Sequence, residues 1–269
     1  MSYSNYNHSQ RRSKLAEPSQ LLSAANLFTP TADQKYMLGA EYSTDDGRKF
    51  RYCKAAATVI NKNLMIQGAV QDAQQFDNLQ NVTSPTQTAG LTQFDIDIIT
   101  ASGIANGDLI DGYLIVNQSA AASGDDEAGD MYVIKNNKWT TSDTVLNITI
   151  ADAGGLRNAI TATSNITVIK NPCMDVITKP TTMTAPIVGA SLVTVTASYY
   201  FWAQTKGPAS VLIDTGDTIL IGDPVGHIDS SGSAGSVGLV STYATDPTMG
   251  KCMYAAAGAD YGLINLSIE

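Results

Sequence analysis

Two histidines, three cysteines and scattered carboxylates are what this chain offers to bond-making chemistry. His8 stands in a polar N-terminal stretch, and His227 in a turn rich in Gly, Pro and Asp. A zinc centre needs three or four His, Cys or carboxylate ligands at recurring spacings, and neither HExxH nor a paired Cys/His pattern occurs. Glycoside hydrolysis needs two carboxyl groups flanking the scissile bond. Candidates are Asp95 with Asp97, the group Asp125, Asp126, Glu127 and Asp130, and Asp214 with Asp217. Asp95 and Asp97 lie two apart on an expected strand and share a face, most simply the solvated one. The 125–130 loop has oxygens for calcium but lacks the alternating EF-hand ligands. No GxSxG elbow and no GxxxxGK[ST] phosphate loop occur, and Gly232 to Gly235 is a Gly/Ser turn with no helix pattern after it. Cys53, Cys173 and Cys252 are odd in number, widely spaced and without CxxC, so buried free thiols are expected. The sequence therefore predicts no enzyme, no catalytic residue, no metal site and no cofactor.

Composition narrows the partners. Of 269 residues, 43 % are hydrophobic and only 15 % charged, enough apolar material for a folded core beneath a Thr-, Ser- and Asn-rich surface. The net charge of −9 argues against wrapping nucleic acid, which needs a cationic face to displace counterions. It argues equally against docking on anionic lipid. Residues 180–205 carry no charge and are long enough to span a bilayer. Their Thr and Ser content, Pro186, Gly189 and period-2 pattern suit strands better than a membrane helix. The N-terminus shows no apolar run of a secretory signal.

The elements that would position any site read as β throughout. Residues 191–212, SLVTVTASYYFWAQTKGPASVL, open with alternation and run into Tyr199, Tyr200, Phe201 and Trp202. The pair Gly207–Pro208 predicts a turn, with a return strand over 209–213. Strands are expected over 36–42, 48–54 and 64–67, with Asp45-Asp46-Gly47 as a hairpin turn. Further strands are expected over 94–100, 112–116, 131–135, 145–150 and 165–170. At the C-terminal end they are expected over 218–221, 236–243, 249–256 and 261–268. Residues 176–190 read as a connection, 68–81 as a short helix or linker, and Leu156 to Ile160 as one helical turn. The fold class is all-β, with β-sandwich or barrel-type domains, an extended N-terminal arm and little helix. The domain boundaries are an arm over 1–33, a β-domain built from 34–67 plus 190–269, and a middle β-domain over 92–175.

Adhesion is the remaining signal. Tyr outnumbers Phe by 12 to 5, and Tyr joins a large contact area to a polar tip. On a strand, 199–202 sends aromatics to both faces, so one set fills a core and the other needs a cover.

Four stretches carry a resemblance: KYMLGAEYSTDDGRKFRYCKAA (35–56); DMYVIKNNKW (130–139) with VLNITI (145–150) and VIKNP (168–172); SYYFWAQTKGPASVLIDTGDTILIGDPV (198–225); and MYAAAGADYGLINLSIE (253–269). In order and texture they resemble the head decoration, or capsid cement, proteins of tailed bacteriophages. That resemblance implies a β-rich homotrimer on the outer surface of the virion capsid. There it would bridge neighbouring subunits of the major capsid protein, with neither nucleic acid nor membrane as partner and no catalytic residue to carry over. Under it, Arg11, Arg12, Lys14, Leu15, Leu21, Leu22, Leu27 and Phe28 are candidates for an arm lying on the capsid. Tyr199, Tyr200, Phe201 and Trp202 are candidates for the subunit interface. The alternative is a phage tail or fibre protein, or another β-rich adhesin, that binds host-surface glycan.

Overall fold

The computed structural model describes residues 24–70, 79–80, 87–97, 104–117, 127–139, 145–161, 164–216, 218–227, 232–240, 247–254 and 256–269. The chain is nearly all β, 46 % strand against 1 % helix, so the all-β class stands; its two antiparallel sheets include one curled into a half-barrel. Two compact units divide it: the described residues between 71 and 171 form the smaller, and those of 24–70 and 172–269 the larger.

In chain order the larger unit begins with a single helical turn, α1 (Ala24–Leu27), then β1 (Glu41–Ser43), β2 (Lys49–Lys54) and β3 (Leu64–Gln67). The smaller unit supplies β4 (Leu79–Gln80), β5 (Gln93–Asp97), β6 (Tyr113–Asn117), β7 (Met131–Trp139), β8 (Val145–Ile150) and β9 (Asn165–Ile169). The larger unit resumes with β10 (Ile177–Thr178), β11 (Ile187–Ser191), β12 (Tyr200–Leu212), β13 (Pro224–Gly226), β14 (Gly238–Leu239), β15 (Thr248–Tyr254) and β16 (Tyr261–Ser267).

The smaller unit is a six-stranded sheet in the order β4-β9-β6-β7-β8-β5. Its pattern follows from alternation. Along β8, Leu146, Ile148 and Ile150 are buried while Val145, Asn147 and Thr149 face outward. Directly opposite on β5 stand Ile96 and Phe94, so the cross-strand pairs Leu146–Ile96 and Ile148–Phe94 build the core. Asn137 of β7 is buried, and its Oδ1 accepts from Leu109 N at 2.9 Å while its Nδ2 donates to Ala105 O at 3.0 Å, fixing the 104–111 turn. The expected helical turn over 156–160 is absent. Ile160 instead makes a bridge with Gln87, and Arg157 N donates to the Tyr132 hydroxyl at 2.8 Å.

The larger unit is a ten-stranded sheet, β10-β3-β11-β12-β16-β15-β13-β14, with β2 also paired to β12 and β1 to β2. The Asp45-Asp46-Gly47 turn forms as expected. Gly47 takes φ 83°, and Thr44 N donates to Arg48 O at 2.9 Å. The strand expected over 36–42 is confined to Glu41–Ser43, because Gly39 turns at φ 80° and leaves Tyr36 and Leu38 buried in irregular chain. Within 176–190, expected to be a connection, lie β10 and β11, and residues 218–220 are irregular chain leading into a turn at 221–222.

The chief correction concerns Gly207–Pro208. No turn forms there: β12 runs unbroken for 13 residues. Its first half pairs with β2, its second with β16, and the register against β2 shifts between Gln204 and Lys206. Gly207 sits at φ 85° in that irregularity, where an added Cβ would lie 2.9 Å from Arg48 Cγ. The fully buried Gln204 amide completes the site, its Nε2 donating to the carbonyls of Lys206, Gly207 and Pro208 at 2.9, 3.1 and 3.0 Å. A side chain three residues upstream thus serves acceptors that a kinked strand would leave bare.

Candidate interaction surface

The aromatic run at the head of β12 lies inside the larger unit. Phe201 and Trp202 are 1 % and 3 % exposed within a single copy, so neither offers surface to a second. Tyr36, Tyr42 and Tyr52 surround the Trp202 ring at centroid distances of 5.2, 6.0 and 5.1 Å. Tyr200, half-buried, stacks on Tyr52 at 5.9 Å with an 11° interplanar angle, and Tyr199 packs on the same core. Both faces of this strand find cover within the chain, which is why an aromatic at every position is tolerated. Leu27 enters the same core at 4 % exposure, whereas Phe28 is 43 % exposed. Arg11, Arg12, Lys14, Leu15, Leu21 and Leu22 lie outside the described residues.

An unpartnered apolar surface occurs at the opposite end of β12. β16 alternates strictly, burying Gly262, Ile264 and Leu266 and sending Tyr261, Leu263, Asn265 and Ser267 outward. Register sets the neighbours. Leu263 stands between Ser210 of β12 and Tyr254 of β15, and Tyr261 stands opposite Leu212. The β15–β16 register shifts between Cys252 and Tyr254, the irregularity that holds the exposed Met253. Beside it, Gly222 N donates to Cys252 O at 2.8 Å, which brings the Leu220–Ile221 tip to the same corner. Leu220, Ile221, Met253, Tyr254, Tyr261 and Leu263 are six of the eleven large hydrophobics exposed among the described residues. Such gathering, against the usual single scattering, marks a surface made to be covered. Lys206 and Lys251 are exposed on β12 and β15, and Asp223 and Asp260 adjoin Gly222 and Tyr261 in sequence, so both signs of charge occur on the segments that carry the patch.

The carboxylates considered for catalysis are engaged elsewhere. Asp95 accepts from Asn147 Nδ2 at 2.6 Å on the outer face of the smaller sheet. Glu127 is buried and accepts from the Ser164 hydroxyl at 2.8 Å. Asp130 accepts from the Tyr132 hydroxyl at 2.9 Å and from Arg157 Nε at 3.1 Å, while the Arg157 guanidinium lies 4.7 Å from the Tyr132 ring centroid. Asp125, Asp126 and Asp217 fall outside the described residues, as does the Asp97 side chain. Asp214 is 2 % exposed and sits in the Gly232–Gly235 turn, accepting from Ser233 N at 2.6 Å and the Ser236 hydroxyl at 3.2 Å. That turn does bind an anion: the chain's own carboxylate.

His227, expected in a turn, is buried, and its Nδ1 lies 3.0 Å from Nζ of Lys179, itself 1 % exposed. No spacing in the sequence links Lys179, which precedes the uncharged 180–205 stretch, to His227 48 residues on. All three cysteines are free and buried. Among the described residues no three His, Cys, Asp or Glu side chains converge as a metal site, and no helix is long and apolar enough to cross a membrane. No family model, no curated protein and no solved structure matches this chain.

Proposed function

We propose that this chain is a structural virion protein, a decoration or cement protein. On this reading it binds the major capsid protein lattice on the outer surface of a tailed-bacteriophage head, acts as a homotrimer and makes or breaks no bond. The observation that carries the reading is the apolar corner around Leu263. Tyr261 and Leu263 stand on the paired strand β16, so that part of the corner is presented without the entropy cost of ordering a loop. Its occupant is a neighbouring copy of the chain. Lys206, Lys251, Asp223 and Asp260 bring both signs of charge to the same segments, which lets like surfaces pair despite a net charge of −9 on each copy. The resemblance of the four quoted stretches to head decoration proteins supplies the partner beneath the trimer.

The mechanism is mass action. A protein that binds the closed shell and not its opened state shifts the balance toward the closed shell. Three linked copies convert weak single contacts into a firm one, because the second and third contacts form at high effective concentration.

Quantifying this chain in purified particles tests the reading. A decoration protein is present in many copies spread over the head, whereas a few copies confined to the tail would overturn it. The contact between copies has its own test. Leu263→Glu and Ile221→Glu place charge on outward positions that fold without them. Each is expected to reduce sedimenting mass toward the monomer with an unchanged circular dichroism spectrum. Retained oligomer in both variants would remove the corner from the interface.

A further inference from the structure

We propose that Cys53 and Cys173 form a redox pair, whose disulfide closes under oxidising conditions and staples β2 to the 172–175 turn. The geometry is local to the larger unit. The two side chains lie beside each other in one core cluster, each felt by the other's thiol, and Cys53 Sγ donates to Arg51 O at 3.5 Å. The main chains beside them are laced together: Lys54 N donates to Cys173 O at 2.9 Å, Val176 N to Lys54 O at 2.9 Å, and Ala56 N to Val176 O at 3.0 Å. A side-chain contact of Lys54 with Asp175 at 3.8 Å ties the same two segments. Cys53 is fully buried and Cys173 is 6 % exposed, both in one core cluster, while Cys252 belongs to another. The backbone bonds through Lys54 hold the two cysteines as close neighbours on β2 and the facing turn, the placement that a disulfide needs.

The surroundings divide the roles. The hydrogen bond from Cys53 favours the Cys173 thiolate and outweighs its burial, with the Arg51 charge and the Gly39 N–H acting in the same direction. Burial holds Cys53 as a thiol, reinforced by its hydrogen bond to Cys173. Cys173 keeps 6 % of its surface exposed and Cys53 none, so a small oxidant meets Cys173 first; Cys173 is the attacking sulfur and Cys53 the resolving one. The oxidant is a low-molecular-weight disulfide. The Cys173 thiolate attacks one of its sulfurs, breaking that S–S bond, forming a mixed disulfide and releasing one thiolate, which takes up a proton. Cys53 then gives its proton to solvent and attacks the Cys173 sulfur. The mixed disulfide breaks, the Cys53–Cys173 bond forms and the second thiolate leaves and is protonated. Two protein thiols lose two electrons, and one small disulfide becomes two thiols.

The loop so closed contains the entire chain of the smaller unit, residues 71–171, so the staple removes freedom from a long segment of the unfolded chain. It does not depend on the virion reading. The test uses the full chain, equilibrated with oxidised and reduced glutathione, denatured in the presence of a thiol alkylator and weighed intact. The expected result is loss of two of the three thiols, with Cys252 alkylated, a Cys53–Cys173 linked peptide on digestion and no glutathione retained. Oxidation should raise Tm in the wild type and in Cys252→Ala, but leave it unmoved in Cys173→Ala relative to that variant's own reduced form. Three alkylated thiols at equilibrium would overturn the proposal, as would a stable glutathione adduct on Cys173 or a link between chains. None of these thiol counts requires a variant to fold.

Discussion

Trp202→Ala is expected to destabilise the larger unit by about 3–5 kcal/mol, the range for removing a large aromatic from a packed interior. The ring is 3 % exposed and meets three tyrosines, so the substitution opens a void that rings on separate elements cannot jointly collapse to fill. Tyr52 is fixed from the far side by Lys35 N, which donates to its hydroxyl at 3.0 Å, and by stacking on Tyr200. Tyr36 meets Tyr52 edge-on at 81° and cannot swing inward without losing that contact. Against a typical total of about 5–15 kcal/mol, the loss is a large share. Trp202→Phe keeps most of the ring volume and is expected to cost about 1–2 kcal/mol. Urea denaturation followed by amide exchange of β2 and β12 measures both. A Trp202→Ala midpoint within error of wild type would show that the cluster is not the core it is taken for. Sedimentation of the folded variant gives a separate answer, and no change of mass is expected, because the ring has no surface to share.

That prediction reverses the role which the residue types alone suggest for 199–202. Four aromatics in succession on one strand look like too much apolar surface for one sheet face. What hides the second face is distant in sequence: Leu27 arrives from α1, and Tyr36 and Leu38 from irregular chain before β1. Their burial has no periodic signature, because Gly39 breaks any alternation there. Where alternation is strict, the strands are legible. Val145–Ile150 forms a strand with the expected bounds, and β16 differs from its expected end by one residue. The failure at Gly207–Pro208 has a physical cause of the same kind. Gly and Pro do break ladders, and only the buried Gln204 amide, a group with no sequence pattern, allows the strand to continue.

The apolar corner was half legible. Tyr261 and Leu263 alternate with buried residues, so their shared face is written in the sequence. That the face stays uncovered was not, since covering depends on where β15 and the 220–221 tip fall. Residues 218–221 look like one more buried strand because Ile219, Leu220 and Ile221 are contiguous. Only Ile219 is buried, at 3 %, while Leu220 and Ile221 stand 63 % and 73 % exposed. A short apolar run distinguishes strand from exposed tip only through its neighbours, here the backbone bond from Gly222 to Cys252. The exposed apolar surface therefore lies at the tail of β12, and the core keeps the aromatic run at its head.

Asp214→Ala is expected to cost about 3 kcal/mol at neutral pH, because a buried carboxylate serving charged hydrogen bonds leaves its donors bare when removed. Ser233 N and the Ser236 hydroxyl both point at Oδ1, and Gly216 N lies 3.5 Å from Oδ2. Burial alone would raise the Asp214 pKa, but the donors from Ser233, Gly216, Ser236 and Thr215 together outweigh it and hold the group below its ordinary 3.8. A depressed carboxylate binds its proton less readily folded than unfolded. Its stabilisation is therefore complete above the ordinary value and drains away as pH falls through the folded one. Asp214→Asn separates charge from shape. It is expected to be less stable than wild type by about 1–2 kcal/mol near pH 7, with the gap narrowing as pH falls below the ordinary 3.8 and the wild-type carboxyl takes up its proton. Urea midpoints across that range decide it. A gap that stays constant down to the lowest pH at which both proteins fold would mean that the Gly232–Gly235 turn holds Asp214 by shape and not by charge.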